Sequence, residues 1–214
     1  MMATASMSPS PSLWLGPEAL VLASKSASRR NLLAGCGLPF AVEAAEIDER
    51  ALESGLIARG ESSEALAAAL ARAKALEVSA RRPRALCIGA DQILTLEGQV
   101  LHKSETPESA ARTLAALSGR THRLTSAFAV ACEGRLLGEG QDHADLTMRA
   151  LDSRQIALYL ACAGPGVLAS VGVYQLEGLG AHLFDAIDGD HTTILGLPML
   201  KLLACLRGHG KLAL

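Results

Sequence analysis

Leu22-Ala23-Ser24-Lys25-Ser26-Ala27-Ser28-Arg29-Arg30-Asn31-Leu32-Leu33 is the stretch on which the fold turns. An apolar run from Ala19 to Ala23 leads into it, serines follow at 24, 26 and 28, and two adjacent arginines precede an apolar pattern of helical period. That order predicts a buried strand, a turn of small residues and a helix whose first turn carries fixed positive charge. The first turn of a helix has unpaired N–H groups and the positive end of the helix dipole, so it attracts anions. Guanidiniums at Arg29 and Arg30 suit a polyphosphate, because each can bond two phosphate oxygens at once. Ser24 and Ser26 add hydroxyl donors there. No histidine lies in sequence where it would activate a serine, so these hydroxyls read as phosphate ligands and not as nucleophiles.

The rest of the chain bounds what such a site serves. With 214 residues, half of them hydrophobic, there is room for one α/β domain with a substantial core. Aromatic residues make up only 3%, too few for the stacking platforms that single-stranded nucleic acid requires. A net charge of −2 and a pI near 6.3 do not suit a general nucleic-acid binder or a polybasic membrane surface, so neither is an expected partner. The positive charge at Arg29 and Arg30 is therefore local. Five cysteines, with no CxxC pair, read as small buried hydrophobes in a reducing cytoplasm. Residues 1–16, rich in Ser, Ala and Pro, read as a disordered leader without the basic and apolar regions of a signal peptide. No apolar run approaches the ~20 residues of a membrane span.

Beyond the first βα unit, strand-like and helix-like segments alternate. Phe40–Ala44 reads as a strand, Glu46–Arg50 as an acidic turn, and Ser62–Ala80 as a long helix with a serine cap. Ala85–Leu96 and Gln99–Leu101 read as a hairpin around Glu97-Gly98. Thr106-Pro107 opens a helix that Gly119 ends, and His122–Cys132 and Arg135–Met148 read as paired strands. Asp152-Ser-Arg-Gln155 has the form of a capping box for a helix to Gly164. Ala181–Ile187 reads as a strand, and Leu197-Pro198 leads into a last helix. Hairpins and crossovers together give an α/β class with a mixed, twisted sheet and flanking helices.

Three further places hold chemistry-bearing residues. Gly89-Ala90-Asp91-Gln92 puts a carboxylate inside an apolar strand, where an unpartnered charge is costly. It reads either as a strand-end cap or as a metal ligand or general base. Lys103 ends an apolar strand, and Lys74 lies in the small-residue stretch Ala71-Arg72-Ala73-Lys74-Ala75, which lets a helix approach its neighbour closely. Either lysine alone reads as solvated. Asp48-Glu49 supplies hard oxygen donors of the kind that hold Mg²⁺ beside substrate phosphates, or else is a solvated turn. Walker-type, GxGxxG, GxSxG and zinc-deaminase patterns are absent from the sequence.

Taken in order, Leu22–Leu33, Ile47-Asp48-Glu49, Ala71–Ala75, Gly89–Gln92, His102-Lys103, Leu117-Ser-Gly119 with His122, Gly172-Val173-Tyr174, Glu177-Gly178 and Gly196-Leu197-Pro198 resemble the Maf (septum formation inhibitor) family. The resemblance spans Ala19 to Arg207 and implies a single domain over residues 17–210, with an inosine triphosphatase-like, two-lobed α/β fold around a nucleotide cleft. It implies a house-cleaning pyrophosphatase that splits a nucleoside triphosphate between the α and β phosphates, with a divalent cation (Mg²⁺, Mn²⁺ or Co²⁺). By the same resemblance Asp91 is the proton acceptor, Arg29, Arg30, Lys74 and Lys103 handle phosphate, and Glu49 joins Asp91 on the metal side. A homodimer and a link to cell-division arrest are expectations of the same kind. A nucleotide-binding regulator of septum formation, without catalysis, is the alternative reading.

Specificity is carried by three positions. The family's dTTP/UTP branch resembles Arg, Thr and Gln where this chain has Ser28, Gln92 and Glu177, and its 7-methyl-GTP branch has Trp, Gln and Glu. This chain matches the second branch at Gln92 and Glu177 but lacks the Trp, a ring that would stack on a cationic methylated base. The expectation is purine-type or broad specificity. Further departures from the family pattern are Ser104 for a usual Pro, Val171-Gly172 for Ala-Gly, and Ser170 for a charged residue.

Overall fold

Leu20, Leu22, Leu86 and Ile88 face one hydrophobic layer, and Val21, Ala23, Ala85 and Cys87 face the other. That is the period-2 alternation of two adjacent strands buried on both sides. In the computed structural model, which describes residues 12–214, these strands are β1 (Ala19–Ala23) and β3 (Ala85–Leu96), paired in parallel from Ala19↔Ala85 to Ala23↔Gly89. β2 (Phe40–Val42) is parallel to β1 on its other side. β4 (Gln99–Leu101) folds back on the end of β3, while β5 (Thr121–Cys132), β6 (Arg135–Met148) and β7 (Phe184–Asp188) continue the sheet antiparallel. The order is β2-β1-β3-β5-β6-β7, with β4 on β3, in one seven-stranded mixed sheet.

Helices cover both faces. α1 (Ala27–Gly35) and α7 (Met199–Gly208) bury Leu33, Leu202 and Leu206 against Phe128 and Val130. α3 (Ser63–Arg81) lies on the opposite face, where Ala67, Ala71 and Ala75 meet Ala127, Ala129 and Ala131. Alanine on both sides permits a close approach, and Gly89 permits more: a Cβ there would lie 2.2 Å from the Ala71 carbonyl oxygen and 2.5 Å from the Ala75 nitrogen. The remaining helices are α2 (Glu49–Ala58), α4 (Pro107–Leu117), α5 (Ser153–Ala163) and the short α6 (His191–Ile194). α4 and α5 start on the expected capping boxes, Thr106 with Ser109 and Asp152 with Gln155.

Four local expectations are corrected. Glu46–Arg50 is not simply a turn: Asp48 accepts a bond from the Ala51 N–H and caps α2, so Glu49 lies in a helical first turn. The strand expected over Phe40–Ala44 ends at Val42, the last residue with a register partner on β1, and the Glu43 N–H makes the final bond, to the Leu22 carbonyl. The strand expected over Ala181–Ile187 starts only at Phe184, because Leu179–Leu183 form a 3₁₀ turn, with Gly180 and Ala181 N–H groups bonded to Gln175 and Gly178 carbonyls. The expected leader lies outside the described residues up to Pro11; from Ser12 the chain is tied down. Trp14 bridges to Leu212, its indole N–H donates to the Glu18 carbonyl at 2.9 Å, and Lys211 pairs with Glu18.

Candidate active site

β3 is flanked unevenly, and the gap makes the site. β1 pairs with it only as far as Gly89, and β4 joins on the same side only from Leu94. Between these points, Ala90 to Ile93 have a strand neighbour on the β5 side alone. The backbone groups of this notch need other partners. A cavity of about 600 Å³ opens over it, within the range of small-molecule sites.

Asp91 sits in the notch, 8% exposed, facing α3. Lys74 is 7% exposed, and its ammonium donates to Asp91 Oδ1 and, at 2.9 Å, to Glu49 Oε2. Each of these residues by itself reads as solvated or as a cap. The close approach of α3 at Gly89 brings the lysine to the carboxylate, and the N-terminus of α2 supplies the second acid. A buried charge requires such pairing, and an ammonium with two carboxylates leaves the cluster with one surplus negative charge.

Across the notch, Arg29 takes the place of the missing strand. Its Nη1 donates to the Ala90 carbonyl at 2.8 Å and its Nε to the Gly196 carbonyl at 2.8 Å, with Ser24 Oγ also within reach. Burial pulls the guanidinium below the usual arginine range, and the nearby Asp91 and Glu49 charges counter that pull. Arg29 thus ties α1, the strand bearing Asp91 and the Gly196 turn together, a role beyond the expected phosphate clamp. Ser26 caps α1 by accepting from the Arg29 N–H, and Ser24 accepts from the Ser26 N–H. The turn is therefore preorganised, and Ser24, Ser26, Ser28 and Arg29 all line the cavity. Arg30 does not: it is exposed and off the cavity wall, since adjacent helical residues face different directions. Arg29→Ala is expected to lower stability by about 2–3 kcal/mol, the worth of buried bonds to a charged group, whereas Arg30→Ala stays within about 0.5 kcal/mol and leaves KM near wild type. Urea melts and steady-state kinetics of the two variants check this, and a large KM rise in Arg30→Ala would restore it to the site.

Lys103 lines the cavity from beyond β4 and is exposed; Ser104, in place of the family's usual Pro, is buried and bonded to Thr113 at 3.1 Å. Gln92 and Glu177 also reach the cavity wall. The Gln92 amide nitrogen is held by the Thr193 and Ile194 carbonyls at 3.1 and 2.9 Å, and by Ser126 Oγ at 3.0 Å. Two residues that the sequence reading did not assign join them, Lys25 and Glu53. Glu53 lies one helical turn after Glu49, a spacing legible only once α2 is known to be a helix. Its buried Oε1 has no hydrogen-bond partner among the described residues, and His102 Nδ1 is 3.6 Å away.

The family model described as Maf-like protein matches residues 19–209. This chain belongs to the Maf family. It is 51% identical over 204 residues, 94% of this chain and 99% of the relative, to a protein of Nitrobacter winogradskyi named nucleoside triphosphate pyrophosphatase. It is 52% identical over 191 residues, 89% of this chain and 96% of the relative, to a protein of Rhizobium johnstonii named 7-methyl-GTP pyrophosphatase. A Brucella abortus protein of that second name is 47% identical over 188 residues, 88% of this chain and 94% of the relative. The Maf motifs of this chain, far apart in sequence, converge here: Ser24–Arg29, Glu49, Lys74, Asp91, Lys103 and Glu177 all border one cavity. Among the described residues no helix is long and apolar enough to cross a membrane.

Proposed function

We propose that this Maf protein is a nucleoside triphosphate pyrophosphatase, converting a triphosphate and water to a monophosphate and pyrophosphate. The observation that carries the reading is the buried Lys74 held between Asp91 and Glu49 at a notch in the sheet, beside the preorganised turn at the start of α1. Phosphoryl transfer demands positioning and charge neutralisation more than covalent work by the protein. The α1 N–H groups with Ser24 and Ser26, together with Lys25 and Lys103, receive the phosphates. Asp91 accepts the proton of the attacking water, and Lys74 holds that carboxylate in place and supplies positive charge. Ser28, Gln92 and Glu177 face the base, and a small Ser28 side chain without a stacking ring favours purine-type or broad specificity over a strict preference for a cationic base.

The donor set fits a divalent cation. Carboxylate oxygens of Glu49, Asp91 and Glu53 border the cavity, and the unpartnered Glu53 Oε1 is the kind of hard donor such an ion takes. Glu49, Asp91 and Glu53 would hold Mg²⁺ or Mn²⁺ beside the substrate phosphates. When bound, the ion neutralises phosphate charge. The cysteines are unpaired, in keeping with the cytoplasm.

Incubation with a panel of nucleoside triphosphates, 7-methyl-GTP included, with Mg²⁺, Mn²⁺ or Co²⁺, is expected to release pyrophosphate and monophosphate in equal amounts, and EDTA is expected to stop the release. Binding without release from any member of the panel would instead establish the regulatory reading.

A further inference from the structure

Two motifs carried no role in the chemistry above, His122 after Leu117-Ser-Gly119 and Gly172-Val173-Tyr174. In the fold they meet. His122 is 1% exposed on β5, and its Nε2 lies 2.6 Å from the Tyr174 hydroxyl. The rings of His122, Tyr174 and Phe184 pack together, Tyr174 against Phe184 edge-on with centroids 4.8 Å apart. Burial lowers the His122 pKa to about 4 and raises that of Tyr174, so both groups are neutral and a single proton joins the ring nitrogen to the hydroxyl. Nδ1 has no partner among the described residues, a cost that a buried group retains only under constraint.

The second tyrosine of the chain acts on the same loop. Tyr159, on α5, donates its hydroxyl to the Val173 carbonyl at 3.1 Å. Val173 is fully buried at φ +60°, in the left-handed region. For a β-branched residue that is an outlier, and such strain persists only where surrounding structure over-determines it. Gly172 is required beside it, because a Cβ there would lie 2.2 Å from the Tyr174 ring. Both tyrosines of a chain with few aromatics thus converge on one strained turn.

That turn builds a wall of the cavity. Ser170, Tyr174, Gln175 and Glu177 all line it. This wall offers a hydroxyl, an amide and a carboxylate but no cation, so it cannot neutralise phosphates; its chemistry suits the uncharged, hydrogen-bonding nucleoside. We propose that His122 and Tyr159 are positioning residues for nucleoside recognition: by holding the Tyr174 hydroxyl and the Val173 carbonyl they lock the Ser170–Glu177 wall in the conformation that reads the nucleoside. The proposal rests on the pyrophosphatase reading for its substrate.

Tyr159→Phe and Tyr174→Phe, alone and combined, delete the hydroxyls and keep the rings. Each is expected to raise KM for the preferred triphosphate severalfold, and the double variant by about tenfold or more, with kcat for each within about twofold of wild type. Inorganic tripolyphosphate, which has no nucleoside, is expected to inhibit all forms with the same Ki. A merely structural role would lower the melting temperature without separating nucleotide from tripolyphosphate. An unchanged KM in all three variants, or a Ki that rises in step with KM, overturns the proposal. Should the wild-type protein release no pyrophosphate, the pyrophosphatase reading fails on its own, and calorimetric titration of the same variants with GTP decides the positioning role: a weakened Kd for GTP alone supports it, and an unchanged Kd overturns it.

Discussion

Asp91→Asn is expected to bind nucleotide about as well as the native protein and to turn it over about a hundredfold more slowly or worse, the usual size of a lost general base. The substitution conserves shape, so β3 and its pairing with Ala127 remain. An amide oxygen still accepts from the Lys74 ammonium, but it has almost no affinity for a proton. Lys74 then keeps Glu49 as its one charged partner in the cluster, and Glu49 and Glu53 remain as carboxylate donors for a cation, so affinity holds. Calorimetric titration with a triphosphate alongside steady-state kinetics separates these effects. A kcat near the wild-type value would take Asp91 out of the mechanism and leave Glu49 or Glu53 as the acceptor.

Gly89→Ala should damage the protein from a position that never touches substrate. The new methyl would meet the Ala71 carbonyl oxygen at 2.2 Å and the Ala75 nitrogen at 2.5 Å, both backbone atoms of α3. No rotamer change relieves a contact with backbone, so the helix must withdraw from the sheet. Overpacking of this kind costs about 3 kcal/mol, at the upper end of its usual range, which for a domain of this size is roughly 6–12 °C in melting temperature. The withdrawal carries Lys74 away from Asp91, and a misplacement of about 1 Å at such a centre lowers turnover by about a hundredfold. Gly35→Ala, where a Cβ meets nothing within 4 Å, is the control. Thermal melts of the two variants that coincide would show that α3 does not depend on Gly89 for its seat.

Much of the fold could be read locally. The apolar runs in Ala19–Ala23 and Ala85–Leu96, the Pro after Thr106, and the Asp152–Gln155 pair all act within a few residues of themselves, and each element forms as expected. α2 was not legible, because Glu46–Arg50 has the polarity of a turn and the helix gains its stability from burying Leu56 beside α3. Residues 181–183 read as the start of a strand, yet glycines at 178 and 180 let the chain close on Gln175 first. Arg29 and Arg30 look alike in sequence, and only the helix turn separates them, one into the notch and one into solvent.

The motifs by themselves determined the family, the α/β class and a set of polar residues that border the cavity, because residue type and local period are written in the chain. Which of those residues face one another was decided by tertiary structure alone. Lys74, Asp91 and Glu49 meet because β1 ends before β4 begins, because Gly89 admits α3, and because Asp48 starts a helix where a turn was expected. His122 is joined to Tyr174, and Tyr159 to Val173, in the same way, across 52 and 14 residues of sequence separation. Such pairings depend on how closely elements pack, and packing is a property of two surfaces, which no single stretch of sequence contains.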